Sequence, residues 1–241
     1  MITVLDTNSL WGIIDGQDSR YKQTLSFIRS KKVGELCILS TVFMEFRARY
    51  NSELNQLIAR LISSIDSQRN ETFTLSEINI KISQISNGLS NQSGIDSRKV
   101  RGYETDLHKF CADTFKNNAE LSRTEIKDSL TSLKNRVDCR IEGSLLLLIS
   151  VGYEPPEIKE EVEKDIKKKI VEQGIKFEGV ADSMIAGQLL SILESNVKEN
   201  YEFATFDPKF AKKLIEAREK LGIQNLNVTD LQQLSSATSG V

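Results

Sequence analysis

Proline, cysteine and histidine are all scarce in this chain, with 3 Pro, 3 Cys and 1 His in 241 residues. The low Pro and Gly content excludes collagen-like order, and an ordinary apolar share of 39% excludes general disorder. Cys37, Cys111 and Cys139 lie far apart without a Cys-x-x-Cys pair. That spacing argues against a disulfide framework and a zinc ribbon, and the three read as buried free thiols in a reducing compartment. A lone His108 cannot supply a His-rich metal site. The longest apolar run, Leu145 to Ile149, falls far short of the roughly 20 residues of a membrane-spanning helix. The opening Met1-Ile2-Thr3-Val4-Leu5-Asp6 lacks the basic start and long apolar stretch of a signal peptide. A cytoplasmic location without membrane attachment is therefore expected. A strongly basic footprint is missing too, because 32 Lys+Arg face 34 Asp+Glu for a net charge of -2. The field at a cleft depends on local distribution rather than on the total, so an RNA-acting protein remains compatible with this balance.

What the chain does have is alternation of short apolar strands with helical periodicity. Met1 to Leu5 is a β-branched segment ending at Asp6, followed by Thr7-Asn8-Ser9 and the helical spacing of Leu10, Trp11, Ile13 and Ile14. Leu36 to Leu39 reads as a buried strand, Ser40-Thr41 as a capping turn, and Val42 to Ile62 as a helix. A third unit is expected from a strand at Thr72 to Leu75 and a helix capped by Ser76 that carries Ile78, Ile82, Ile85 and Leu89. Residues 87–94 are rich in Asn, Gly and Ser and read as a loop. Helical spacing runs from Leu107 to about Gly152 and stops at Glu154-Pro155-Pro156. Ile158, Val162, Ile166 and Ile170 then mark another helix, whose Glu160/Lys164 and Glu163/Lys167 pairs support it. After Gly174 come a helix from Ala181-Asp182 and a strand from Glu202 to Phe206. A helix from Asp207-Pro208, closed by Gly222, and a strand from Ile223 to Val228 complete the pattern. Alternating strands and helices predict an α/β fold, a three-layer α/β/α sandwich with a central parallel sheet.

In an open parallel sheet, ligands bind beyond the carboxyl ends of the strands, so acidic residues just after strands matter most. Asp6 ends the first strand, Glu45 lies one turn into the following helix, Asp182 opens a helix and Asp207 follows a strand. Each has a plain structural role open to it: Asp6 and Asp207 as helix caps, Asp182 as a first-turn acid, and Glu45 as an exposed helical residue. Four carboxylates at one sheet edge would repel one another unless a divalent cation neutralised them, and oxygen-only ligation favours Mg2+ or Mn2+ over zinc.

Four segments resemble the motifs of PIN-domain ribonucleases. Val4-Leu5-Asp6-Thr7-Asn8-Ser9-Leu10 resembles the family opening, and Ser40-Thr41-Val42-Phe43-Met44-Glu45 resembles the second motif. Ala181-Asp182-Ser183-Met184-Ile185-Ala186 is similar to the third motif. Ala204-Thr205-Phe206-Asp207-Pro208-Lys209-Phe210 is similar to the fourth, with Phe206 where an Asn is common. The four occur in the family's order. The resemblance implies a PIN-like nuclease domain over 1–90 and 175–232 and a helical insertion over 91–174; the terminal residues 233–241 read as a flexible tail. The implied activity is metal-dependent endoribonucleolysis, as in a toxin or an RNA-processing nuclease. Asp6, Glu45, Asp182 and Asp207 would hold Mg2+ or Mn2+, with Asn8 and Thr205 positioning carboxylates or water. Glu178, one turn before Asp182, is a weaker candidate, a solvated Glu being the simpler reading. The implied partner is RNA, with a homodimer, a cognate antitoxin or another protein partner left open. In the insertion, Arg98, Lys99, Arg101, Lys109 and Lys116 read as a phosphate-binding patch with Tyr103 stacking on a base, a packing or dimerisation role being equally open. Two competing readings are a catalytically inactive PIN-like module that binds RNA or protein, and a phosphatase or receiver domain using Asp6. Asn8 argues against the latter, since haloacid-dehalogenase phosphatases place a second Asp there.

Overall fold

The computed structural model describes residues 1–14, 20–92, 97–134 and 152–233. In chain order the elements are β1 (Ile2–Leu5), α1 (Thr7–Ile14), α2 (Tyr21–Arg29), a 3-10 turn (Val33–Glu35), β2 (Leu36–Ile38) and α3 (Ser40–Asp66). There follow β3 (Thr72–Phe73), α4 (Leu75–Gln92), α5 (Ser97–Phe115) and β4 (Leu121–Ser122). A helix over 123–134 (α6) comes next. The chain ends with α7 (Glu160–Glu172), α8 (Val180–Ser195), β5 (Tyr201–Thr205), α9 (Pro208–Leu221) and β6 (Leu226–Asp230). Among the described residues no helix is long and apolar enough to cross a membrane.

The chain divides into two compact units. The first comprises Met1–Ile14, Arg20–Phe46 and the described residues from 152 onward, and the second comprises the described residues between Arg47 and Gly143. The division falls inside α3, whereas the sequence reading set its boundary near residue 90. It also assigns α7, which that reading put in the insertion, to the first unit. The reason for the latter is local: Ile166 and Ile170 are buried, and α7 packs on α8.

The first unit is α/β, with a four-stranded, wholly parallel sheet in the order β2-β1-β5-β6. Every residue of β1 and β5 is buried, as befits inner strands covered on both faces. From β1 the chain proceeds to β2 on one side, and from β5 to β6 on the other. The strand order therefore reverses between β1 and β5, the position at which α/β sheets open a crevice at their carboxyl ends. The α9 segment forms as its sequence predicts: Asp207 caps it, Pro208 occupies the first turn, and Gly222 closes it at φ 70°. The final strand starts at Leu226 rather than Ile223, because the chain first completes the α9 terminus, where Ile223 N–H donates to the Arg218 carbonyl.

In the second unit β3 pairs antiparallel with β4 in a separate two-stranded sheet, so the expected third parallel strand is corrected. Both short strands run into helices through capping boxes. The Thr74 N–H donates to Glu77 Oε2 (2.7 Å) while its hydroxyl accepts the Glu77 N–H (3.3 Å), and Ser122 and Glu125 repeat the arrangement at 2.8 and 3.2 Å. Thr74, not Ser76, therefore caps α4. The expected loop at 87–94 is helical through Gln92, with buried Leu89 holding that turn against the core and the Ser90 hydroxyl donating to the Ser86 carbonyl. Residues 93–96 lie outside the described residues, as do 135–151 and the tail from 234. Cys37 and Cys111 are buried free thiols pushed up to about 12 by desolvation, whereas Cys139 lies outside the described residues.

Candidate active site

All six residues singled out for the chemistry lie in the first unit, and the carboxyl edge of the sheet strings them together. Asp6 follows β1 directly, and the parallel register that pairs Leu5 with Ala204 sets Asp6 beside Thr205. Its Oδ1 accepts the Ser9 N–H (2.7 Å), and its Oδ2 accepts the Thr205 hydroxyl. The same hydroxyl oxygen accepts the Asp207 N–H (2.9 Å), so Thr205 bridges the two acidic positions. On the other side of Asp6, the Thr7 hydroxyl donates to Glu45 Oε2 (2.5 Å) and so joins the first turn of α1 to α3. Asp182, in the first turn of α8, lines a small cleft with Asp207, Glu178, Phe177, Phe210 and Lys213.

The individual environments differ. Asp6 is only 4% exposed, and burial pushes its carboxyl above the ordinary Asp range, partly opposed by the bonds from Thr205 and Ser9 and by the charge of Arg20. Asp207 Oδ1 accepts the Lys209 and Phe210 N–H groups at 2.9 and 3.0 Å, so its capping role is real. Glu178 is exposed and lies 3.4 Å from Lys209 Nζ, the solvated position expected of it. Among the described residues no hydrogen bond joins Asn8 to a carboxylate. The Asn8 Oδ1 accepts from Arg20 Nη1 (3.2 Å).

The donor set suits a hard cation in kind, since it is oxygen only. Its gathering does not: among the described residues no three His, Cys, Asp or Glu side chains come together to hold a metal ion. Both Asp6 oxygens and Oδ1 of Asp207 are engaged within the protein. Asp6, Glu45, Asp182 and Asp207 thus form a string along the edge and not a ready cage.

Two participants escaped the sequence reading. Gln188 of α8 clasps the start of α3: its Oε1 accepts the Thr41 N–H (3.1 Å) and hydroxyl (2.6 Å), and its Nε2 donates to Ser40 Oγ (2.8 Å). The clasp ties the helix bearing Asp182 to the helix bearing Glu45. Its position two turns along α8 from Asp182 was the available signal. Arg20 is the other, and nothing in its local sequence marks it. In the second unit, Tyr103 is buried and donates to Glu53 (2.6 Å), so it is not available to stack on a base. Of the basic residues predicted around it, Arg101, Lys109 and Lys116 are exposed, and the side chains of Arg98 and Lys99 lie outside the described residues. No protein-family model matches the chain, and neither a curated protein nor a solved structure is significantly similar to it.

Proposed function

We propose that the chain is a PIN-like, metal-dependent endoribonuclease whose active edge lies at the carboxyl ends of β1 and β5. One observation carries the reading. At the crevice where the strand order reverses, the Thr205 hydroxyl couples Asp6 to the backbone of Asp207, and the neighbouring Thr7 couples to Glu45. A three-layer α/β/α arrangement with PIN-like identity is part of the same proposal.

In this reading Asp6, Glu45, Asp182 and Asp207 serve Mg2+ or Mn2+, which when bound would polarise a water and offset the charge of the scissile phosphodiester. The four acids are not gathered for an ion in this arrangement, so no step of the reaction is derived through it. The chain's own contribution is orientation. Ser9 and Thr205 fix both oxygens of Asp6, Thr205 fixes the turn that carries Asp207, and Gln188 fixes the start of α3 relative to α8. The internal engagement of Asp6 and Asp207 favours one second reading, a PIN-like module that binds RNA or protein without cutting. Incubation of the protein with generic single-stranded RNA and Mn2+ separates the two. Cleavage that stops with EDTA and with Asp6→Asn supports the nuclease, and RNA binding without cleavage supports the module.

A further inference from the structure

An acidic edge repels a phosphodiester, so affinity for an RNA strand there has to come from contacts that this charge does not oppose. Of the described residues that line the cleft with Asp182 and Asp207, only Phe177 and Phe210 are uncharged. Phe210 is buried and packs on Phe203 of β5, with 5.5 Å between ring centroids and 76° between ring planes. Phe177, in the connection between α7 and α8, packs in turn on Phe210 at 5.8 Å and 60°, and is only half-buried. It is therefore the outermost ring of a three-ring ladder rooted in the sheet. Edge-to-face packing of this kind holds a ring in place beyond what its buried area does. The cleft thus has a fixed aromatic wall among charged side chains, and a ligand that matches it carries a flat apolar face beside a charged group. A nucleotide of an unpaired strand does so. Lys209, on the same cleft, lies 3.4 Å from Glu178 with both side chains largely exposed, a pairing worth little, so a phosphate can take the place of Glu178.

We propose that Phe177 is the platform on which a base of single-stranded RNA stacks beside Asp182 and Asp207. The proposal rests on the nuclease reading and extends it to the class of substrate: a strand whose bases are free to leave their own stack, and not a duplex, in which the base faces are covered.

Anisotropy of a short fluorescein-labelled oligoadenylate, titrated in EDTA over a series of salt concentrations, tests it, with Mn2+-dependent cleavage by the unsubstituted protein measured alongside. Phe177→Leu keeps an apolar contact for Phe210 and loses the aromatic face, so it should weaken binding about tenfold, as for one lost base stack. The slope of log affinity against log salt should not change, because stacking releases no counterions. An abasic strand of the same length should bind both proteins equally, since it offers nothing to stack. Phe177→Trp should bind the oligoadenylate at least as tightly as the unsubstituted protein, and its added indole fluorescence should be quenched by the oligoadenylate and not by the abasic strand. That variant decides the matter if Phe177→Leu does not fold. Unaltered oligoadenylate affinity in Phe177→Leu, an equal loss on the abasic strand, or an indole that no oligoadenylate quenches would overturn the role of Phe177 while leaving cleavage by the unsubstituted protein in place. If the unsubstituted protein neither binds nor cleaves RNA, the nuclease reading fails and the proposal fails with it.

Discussion

Thr205 donates its hydroxyl proton to the buried carboxylate of Asp6, and that bond and the Ser9 N–H together occupy both oxygens of an acid only 4% exposed. Neutral donors stabilise the anion, but burial outweighs them and the carboxyl stays above its ordinary range. The folded state thus binds a proton at Asp6 more readily than the unfolded chain does. Stability tied to this group is complete below the unfolded value and is lost as pH rises through the folded one.

The first prediction follows from that sign. Asp6→Asn keeps the shape and an acceptor for Ser9 while removing the charge, so without metal it should melt higher than the unsubstituted protein at neutral pH. The difference should shrink toward zero as the pH approaches 4, where Asp6 itself is protonated. Paired thermal melts across that range in EDTA check it, and a variant less stable at neutral pH would show that the Asp6 anion is net stabilising.

The second prediction concerns α1 and α2. A Cβ on Gly12 would lie 2.3 Å from Thr24 Oγ1 and 3.1 Å from Thr24 Cβ, closer than atoms pack. Gly12→Ala should therefore cost about 1–3 kcal/mol, the usual range for overpacking a core. Thr24 Oγ1 is buried and has no hydrogen-bond partner among the described residues, so Thr24→Ala removes the nearest clash at little cost of its own. In a Thr24→Ala background the Gly12→Ala penalty should fall by at least half, and a denaturant double-mutant cycle measures the coupling. Additive effects would mean that the helices separate instead of clashing.

Local signals explain which parts of this fold the sequence discloses. The apolar β1 ending at Asp6, the Asp207-Pro208 start and Gly222 end of α9, and the Glu160/Lys164 pair at 2.6 Å all act over a few residues, and each is present. The Thr74-x-x-Glu77 and Ser122-x-x-Glu125 boxes are equally local and mark the true starts of α4 and α6. The pairing of Thr72 with Ser122 joins residues far apart in the chain, and nothing near Phe73 indicates that its partner is Leu121 and not a parallel neighbour. Tyr103 misled for a similar reason: an aromatic among basic residues resembles a stacking platform until Glu53, a distant residue on α3, is seen to accept its hydroxyl. At the candidate site, the positions of Asp6 and Asp207 were legible because they stand just after strands. Arg20 and Gln188 were not, because their roles exist only once α1 meets α2 and α8 meets α3.

The last prediction concerns a charge inside the sheet. Glu202, the second residue of β5, is 7% exposed and accepts from Lys31 Nζ (2.6 Å), Thr229 Oγ1 (2.7 Å) and Thr3 Oγ1 (3.1 Å). Burial alone would raise its carboxyl, but the bonds from Lys31, Thr229 and Thr3 and the Lys31 charge outweigh it and hold the group below the ordinary Glu range. Lys31→Met keeps the aliphatic stem and deletes the charge, leaving an anion between β1 and β6 with two hydroxyls for company. Breaking a fully buried pair costs roughly 3–5 kcal/mol, and the partial exposure of Lys31 reduces this to about 2–3 kcal/mol at neutral pH. Because the folded value is lowered, the contribution of Glu202 is present above the unfolded value near 4.5 and is lost as pH falls through the folded one. The Lys31→Met penalty should thus be largest at neutral pH and diminish below about pH 4, as the lone carboxyl takes up a proton. Adding Glu202→Gln should recover most of the loss, since the amide keeps acceptors for Thr3 and Thr229 without a charge to strand. Urea unfolding of the two variants at neutral and acid pH measures both effects, and a Lys31→Met penalty that is independent of pH would mean that the lysine stem, and not its charge, holds α2 against the sheet.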